Sequence, residues 1–134
     1  MPNSHPKVLS TAMVFVVSDL QRSVDFYCQK LGFCEPALWG DPPCFAIMNR
    51  DSFDLMLSLA ESKADIHPNG PKHIWDLAIR VINLEAEIAA LRSAGVALDR
   101  GPTKTEYCMV EIEVVDPDGY RICLGQNLEE EPEA

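Results

Sequence analysis

Apolar positions along this chain follow two rhythms in turn. Leu20, Val24, Tyr27 and Leu31 recur at helical spacing, and Gly32 follows as a stop. Ser18 with Gln21 reads as a capping box at the start of that helix. Leu84, Ile88 and Leu91 repeat the stripe, with Asn83 as N-cap and Gly95 as stop. Adding 64 to Leu20, Val24 and Tyr27 gives Leu84, Ile88 and Leu91, so the same helix occurs twice.

What flanks each helix repeats as well. Strand-like runs over 11–17 and 74–81 precede them. Three short strand-like runs follow each: 33–39, 44–49 and 53–59 after the first, then 96–100, 107–115 and 120–125 after the second. Asp116-Pro117-Asp118-Gly119 is a strong hairpin signal, and Arg50-Asp51-Ser52 is its weaker counterpart. The stretch 61–72, with Pro68, Gly70 and Pro71, reads as a linker. The expected fold is α+β, with two tandem βαβββ modules at 11–60 and 73–127 in a single domain, 1–134, and a tail at 128–134. One module cannot bury both faces of its sheet. Two side by side would form a curved mixed sheet with helices on one face and a cup on the other, where a ligand would sit.

Composition narrows this picture. A chain of 134 residues supplies one core, and 47% hydrophobic with 24% charged residues excludes disorder as the main description. No apolar run approaches the roughly 20 residues a membrane span needs. The first ten residues carry no apolar signal region, so a cytoplasmic location is expected. A net charge of -10 argues against nucleic acid as a partner. Glu129, Glu130, Glu131 and Glu133 belong to the tail, and removing their four charges from -10 leaves -6 for the body. That balance fits a cationic ligand and equally fits plain solubility. Five cysteines, an odd number with no CxxC, suggest reduced thiols rather than a disulfide framework or a zinc ribbon.

The run Val17-Ser18-Asp19-Leu20-Gln21-Arg22-Ser23-Val24-Asp25-Phe26-Tyr27, followed by Leu31-Gly32-Phe33, resembles the opening of the vicinal oxygen chelate superfamily. That group holds glyoxalase I, bleomycin-resistance proteins, fosfomycin-resistance enzymes and extradiol dioxygenases. Asp116-Pro117-Asp118-Gly119-Tyr120 is similar to its last hairpin, and the resemblance spans about residues 11–126. It implies the fold and leaves the chemistry open. Metal enzymes of the superfamily place His or Gln in the first strand of each module and Glu in the last. The matching positions here are Ala12, Asp76, Leu57 and Cys123. Alanine and leucine cannot ligate, and two remaining donors hold a divalent ion weakly. His5 and His73 lie near the first strands, but His73 sits three residues before the ligand position and faces the other side. The expectation is no metal and no cofactor.

Period-two alternation assigns the cup face. In the second module, Trp75, Leu77, Ile79 and Val81 go to the core, and Asp76, Ala78 and Arg80 go to the cup. Tyr107, Met109, Glu111, Glu113, Arg121 and Cys123 join the cup. In the first module the repeat sends Ala12, Val14, Val16, Phe45, Ile47, Leu55, Leu57 and Leu59 there. This strains at Asp54 and Ser58, which then face the helix side. The candidate ligand-binding residues are therefore Trp39, Phe45, Leu57, Asp76, Arg80, Tyr107, Glu111, Glu113, Arg121 and Cys123. Tyr107 aligns with a stacking tryptophan of bleomycin-resistance proteins, and Trp39 lies near another of their aromatic positions. Blander roles stand beside these. Asp76, Arg80, Glu111, Glu113 and Arg121, a formal sum of -1, could simply pair with one another. Trp39 could cap the sheet edge, and Cys123 could be a small core hydrophobe.

No catalytic residue is assigned: Asp76 or Glu111 would act as a general base only if burial raised its pKa, and Cys123 as a nucleophile only if a basic neighbour lowered its own. The reading is a metal-independent binding protein that sequesters an aromatic, cationic small organic ligand by stacking and by carboxylates. One alternative is a glyoxalase-like lyase or isomerase, or another superfamily enzyme, with an atypical metal site. Another is a degenerate member that binds nothing and acts through dimer contacts. The resemblance also implies a homodimer whose cup joins two chains, with the arm 1–10 able to swap across.

Overall fold

The computed structural model describes residues 4–128. They form β1 (Ala12–Val17), α1 (Leu20–Asp25), β2 (Cys34–Trp39), β3 (Phe45–Arg50), β4 (Phe53–Leu59), β5 (Leu77–Arg80), α2 (Leu84–Ser93), β6 (Arg100–Lys104), β7 (Met109–Val115) and β8 (Arg121–Asn127). Two four-stranded sheets share one order, β1-β4-β3-β2 and β5-β8-β7-β6. In each, the module's first strand runs parallel to its last and the other pairs are antiparallel. The architecture is α+β, a βαβββ unit used twice. The expected tail and the first residues of the arm, 129–134 and 1–3, lie outside the described residues.

Local chemistry explains the helix starts. Asn83 caps α2 as expected, its side-chain oxygen accepting from the Ala86 N–H at 3.1 Å. In α1 the cap is Asp19, which accepts from the Arg22 N–H at 3.0 Å, and not Ser18. Ser18 is drawn away because its N–H and hydroxyl both donate to Asp118, in the turn after β7. Gln21 likewise pairs with Asp25 rather than reaching back to a cap. Beyond Asp25 the helix widens into a π-helical stretch, Phe26–Lys30.

The expected strand at 96–100 is displaced to Arg100–Lys104. It is an edge strand, so Pro102 costs no ladder hydrogen bond there. The pairing slips between Arg100 and Thr103, at Gly101. Gly101 has φ +92°, and a Cβ there would stand 2.3 Å from the Glu111 carbonyl oxygen, so only glycine fits.

One core serves both modules. Phe15, Val17, Tyr27 and Leu55 from the first meet Leu91, Ile112, Ile122 and Leu124 from the second. Phe15 stacks on Tyr120 with ring centres 4.2 Å apart, and the Tyr120 hydroxyl donates to the Val16 carbonyl at 2.6 Å. The turns cross reciprocally. Asp116, after β7, accepts the Tyr27 hydroxyl of the first module at 2.6 Å. Arg50, before β4, donates to both oxygens of Glu87 on α2 and to the Leu31 carbonyl. Burial, then the Asp116 charge, pushes the Tyr27 phenol well up.

The cup face of β4 differs from expectation by one residue. Leu57 pairs with Phe15 on one side and Ala46 on the other, and Leu55 and Leu57 are both fully buried in the core. Asp54, Met56 and Ser58 take the opposite face, opposite Ala12, Val14 and Val16. A one-residue slip exchanges every side chain between faces. The chosen register keeps Asp54 in reach of the Asn49 amide at 2.9 Å and out of the core. Leu57 is therefore removed from the candidate ligand contacts. Met56 occupies its place, because Val14–Met56 in the first sheet corresponds to Ala78–Cys123 in the second.

Candidate functional site

The second module's cup face carries the chemistry. Along β7, Glu111 and Glu113 point the same way, and Ile112 and Val114 point into the core. On β8, Arg121, Cys123 and Gly125 share that face, opposite Val115, Glu113 and Glu111. A cavity of about 110 Å³ lies here, with Trp75, Arg80, Tyr107, Met109, Glu111 and Cys123 in its wall.

Most of the charged groups are already satisfied. Glu113, 3% exposed, accepts from the Trp75 indole N–H at 3.0 Å, from Arg100 at 3.0 Å and from Arg121 at 2.9 Å. Burial alone would raise its carboxyl, but these three donors outweigh burial and hold it below the usual range. Arg121 is buried too. It donates to Asp99 and to Glu113, reaches the Gly70 carbonyl at 3.3 Å, and lies 3.4 Å from His73 Nδ1. The hydrogen bond to Asp99, the leading cause, raises its pKa further.

Asp76 is turned to structural use. Its two oxygens accept backbone N–H groups from Asn69 at 2.7 Å, Gly70 at 3.1 Å and Arg121 at 2.8 Å. It thereby ties the linker to the start of β8. Gly70 is pressed there, since a Cβ on it would stand 1.9 Å from the Gly119 carbonyl oxygen.

Glu111 differs. It is 6% exposed and accepts one hydrogen bond, on Oε2, from the Tyr107 hydroxyl at 2.7 Å. Among the described residues no Lys, Arg or His nitrogen lies within ion-pair distance of it. That hydrogen bond, ahead of burial, raises the Tyr107 phenol. Tyr107 itself is 60% exposed, its ring at the cavity and its hydroxyl on Glu111.

Trp75 was expected in the core and is found at the cup. Regular pairing in β5 begins only at Leu77, so alternation does not extend back to residue 75. His73, at φ +59°, redirects the chain just before it. The Pro- and Gly-rich linker was the available signal that the strand starts late. Arg80, exposed, stands on the cavity wall. Trp39 and Phe45 lie together on the first module's face, with ring centres 6.0 Å apart, and take no part in this cavity.

The four metal positions do not fit a metal. Ala12 has no donor and Met56 offers only a thioether. Both Asp76 oxygens are spent on backbone N–H groups. The Cys123 thiol, 2% exposed, is pushed up to about 12 by burial, then by the charges of Glu111 and Glu113. At neutral pH the thiol is protonated and not a nucleophile. Among the described residues no three His, Cys, Asp or Glu side chains cluster as a metal site.

Larger hollows exist elsewhere. One of about 350 Å³ lies between the β3–β4 turn and the start of α2, over the Arg50–Glu87 pair. Another of about 370 Å³ lies beside Ile88, Pro102 and Val110. Neither has a buried charged side chain in its wall, and the cup has Glu111.

Residues 9–124 match the family model of the Glyoxalase/Bleomycin resistance protein/Dioxygenase superfamily. No curated protein matches the chain. Among solved structures it is similar to TnmS3, an antibiotic binding protein from Streptomyces sp. CB03234. The two are 29% identical over 91% of this chain and 99% of that one, with a TM-score of 0.65. It is also similar to a glyoxalase/bleomycin resistance protein/dioxygenase from Nocardioides, at 21% identity over 98% and 91% of the chains and a TM-score of 0.71. A virulence protein from Salmonella typhimurium matches at 21% over 92% and 98%, with a TM-score of 0.68.

Proposed function

The chain belongs to the glyoxalase/bleomycin resistance protein/dioxygenase superfamily, and we propose that it is a metal-independent binding protein for a flat, cationic organic molecule. The observation that carries this reading is the pair formed by Tyr107 and Glu111, an exposed ring held over a buried carboxylate at one cavity. The ring offers a stacking surface, and the carboxylate offers charge. The likeness to TnmS3, an antibiotic binding protein, supports a sequestering role. Cys28, Cys34, Cys44 and Cys123 form no disulfide among the described residues, which supports a reducing, cytoplasmic setting.

The cavity of one chain is too small for the whole task. About 110 Å³ falls well short of the roughly 300–1,000 Å³ of ordinary ligand sites. The first module's face is meanwhile bare: Val14 on β1 is 52% exposed, and Trp39 on β2, at the other edge of the same sheet, is 50% exposed. A homodimer in which this face closes the second module's cavity of another copy would supply the missing wall and bring Trp39 to the ligand. In such a dimer the exposed stretch 6–11, with Val8 and Leu9 open to solvent, would cross to the other copy. Size-exclusion chromatography at micromolar concentration should give about twice the chain mass. Val14→Lys should give a monomer, and a monomeric wild type would remove the two-chain cup.

Titration of the chelator-treated protein with 9-aminoacridine, a flat cation, tests the function. Saturable binding is expected, weakened about 5- to 30-fold in Tyr107→Ala, or roughly 1–2 kcal/mol. Binding that Tyr107→Ala leaves unchanged would move the site elsewhere.

A further inference from the structure

Resting on the reading above, we infer that Glu111 selects the ligand: the site takes a flat cation that presents an N–H donor, such as a protonated ring nitrogen or amine. It disfavours a neutral analogue and a cation without an N–H.

Three carboxylates were candidates for that role, and two already accept three hydrogen bonds each from the protein. Asp76 accepts three backbone N–H groups, and Glu113 accepts from Trp75, Arg100 and Arg121. Glu111 has one donor among the described residues, a neutral phenol on Oε2, and Oε1 is not sealed away from the cavity. No basic side chain among the described residues pairs with this carboxylate, and a ligand that brings a cation supplies the pairing.

A donor comes to Glu111 from the cavity, whose wall holds Tyr107, Glu111 and Gly125 together. Glu111 faces Gly125 across the ladder. A Cβ at Gly125 would stand 3.0 Å from Met109 Cε and 3.3 Å from Glu111 Cγ, so any other residue there would crowd Glu111. The neighbouring Cys123 is a neutral thiol and supplies no countercharge. Arg80 is the cation on the cavity wall, but it is exposed and screened by water, whereas Glu111 is not. The buried charge therefore dominates the choice of ligand. An N–H donor can fill the open acceptor at hydrogen-bond distance, whereas an N-methylated ring cannot.

Three probes of one shape separate these effects: 9-aminoacridine, a cation with N–H donors; 10-methylacridinium, a cation without; and acridine, neutral at pH 8. Fluorescence titration of the full chain at pH 8 after chelator treatment should rank 9-aminoacridine about tenfold or more above both others. Glu111→Gln, checked for folding by circular dichroism, should shrink that preference to within about twofold. The wild-type ranking decides the matter even if the variant does not fold. Equal binding of all three probes, or a preference unchanged in Glu111→Gln, overturns the inference and leaves the pocket reading standing. Binding of none removes both.

Discussion

Glu111 and Glu113 stand two residues apart on one face of one strand, almost equally buried, and their surroundings are opposite. Glu113 is enclosed by Trp75, Arg100 and Arg121. Glu111 has a single phenol and lies on the cavity wall. The difference comes from what each meets across the ladder and from the turns beyond it. Glu113 lies opposite Cys123, with Arg121 one step away on the same face. The β6 residue paired with Glu113 is Arg100, and the one paired with Glu111 is Thr103. A buried charge that is fully paired is architecture, and one left half-paired is available for binding.

The largest test of this contrast is Arg121→Met. It leaves Glu113 short of its buried partner, which should cost about 3–5 kcal/mol. Thermal unfolding should then shift down by about 10 °C or more. A variant as stable as wild type would show that Glu113 does not depend on the pair.

Acid unfolding gives an intermediate effect. Glu113 has a depressed carboxyl, so its contribution is present above the ordinary carboxylate value and is lost as pH falls through the depressed one. Asp116 runs the other way: burial raises it, so its contribution is present at low pH and lost as pH rises through the raised value. Urea unfolding between about pH 7 and pH 3 should therefore show a shallower acid loss in Glu113→Gln than in wild type. Identical slopes would contradict the pairing.

Smaller still is Trp75→Phe, which removes one of the donors to Glu113 and keeps a ring at the cavity. It should cost about 1 kcal/mol in denaturant unfolding. Smallest is Glu111→Gln. With no cation to lose, it should change stability by no more than about 0.5 kcal/mol, or raise it. A loss comparable to Arg121→Met would mean that Glu111 is structural too.

Much of the fold was legible because it is written twice. The 64-residue offset between Leu20, Val24, Tyr27 and Leu84, Ile88, Leu91 located both helices, and the turn at 116–119 located the last hairpin. The second module's alternation read correctly from Leu77 onward, since charge alternates with aliphatic residues there. The first module's β4 did not, because the repeat offset was carried into it one residue short, although Asp54 and Ser58 already marked the polar face. Trp75 was missed because alternation was extended into a segment that is not yet a strand. Composition could not separate Glu111 from Glu113 or Asp76. Their roles depend on partners 4 to 45 residues away that only the folded chain brings together.

The central claim is that this cup meets an organic cation with a ring and a carboxylate, and not with a metal. Mass spectrometry of the purified protein, before and after soaking in Zn²⁺, Ni²⁺, Mn²⁺ and Fe²⁺ followed by dialysis, tests it most directly. The account predicts no metal above trace in either state. Near-stoichiometric metal that disappears in Asp76→Ala or Cys123→Ala would contradict it and return the site to metal-dependent chemistry.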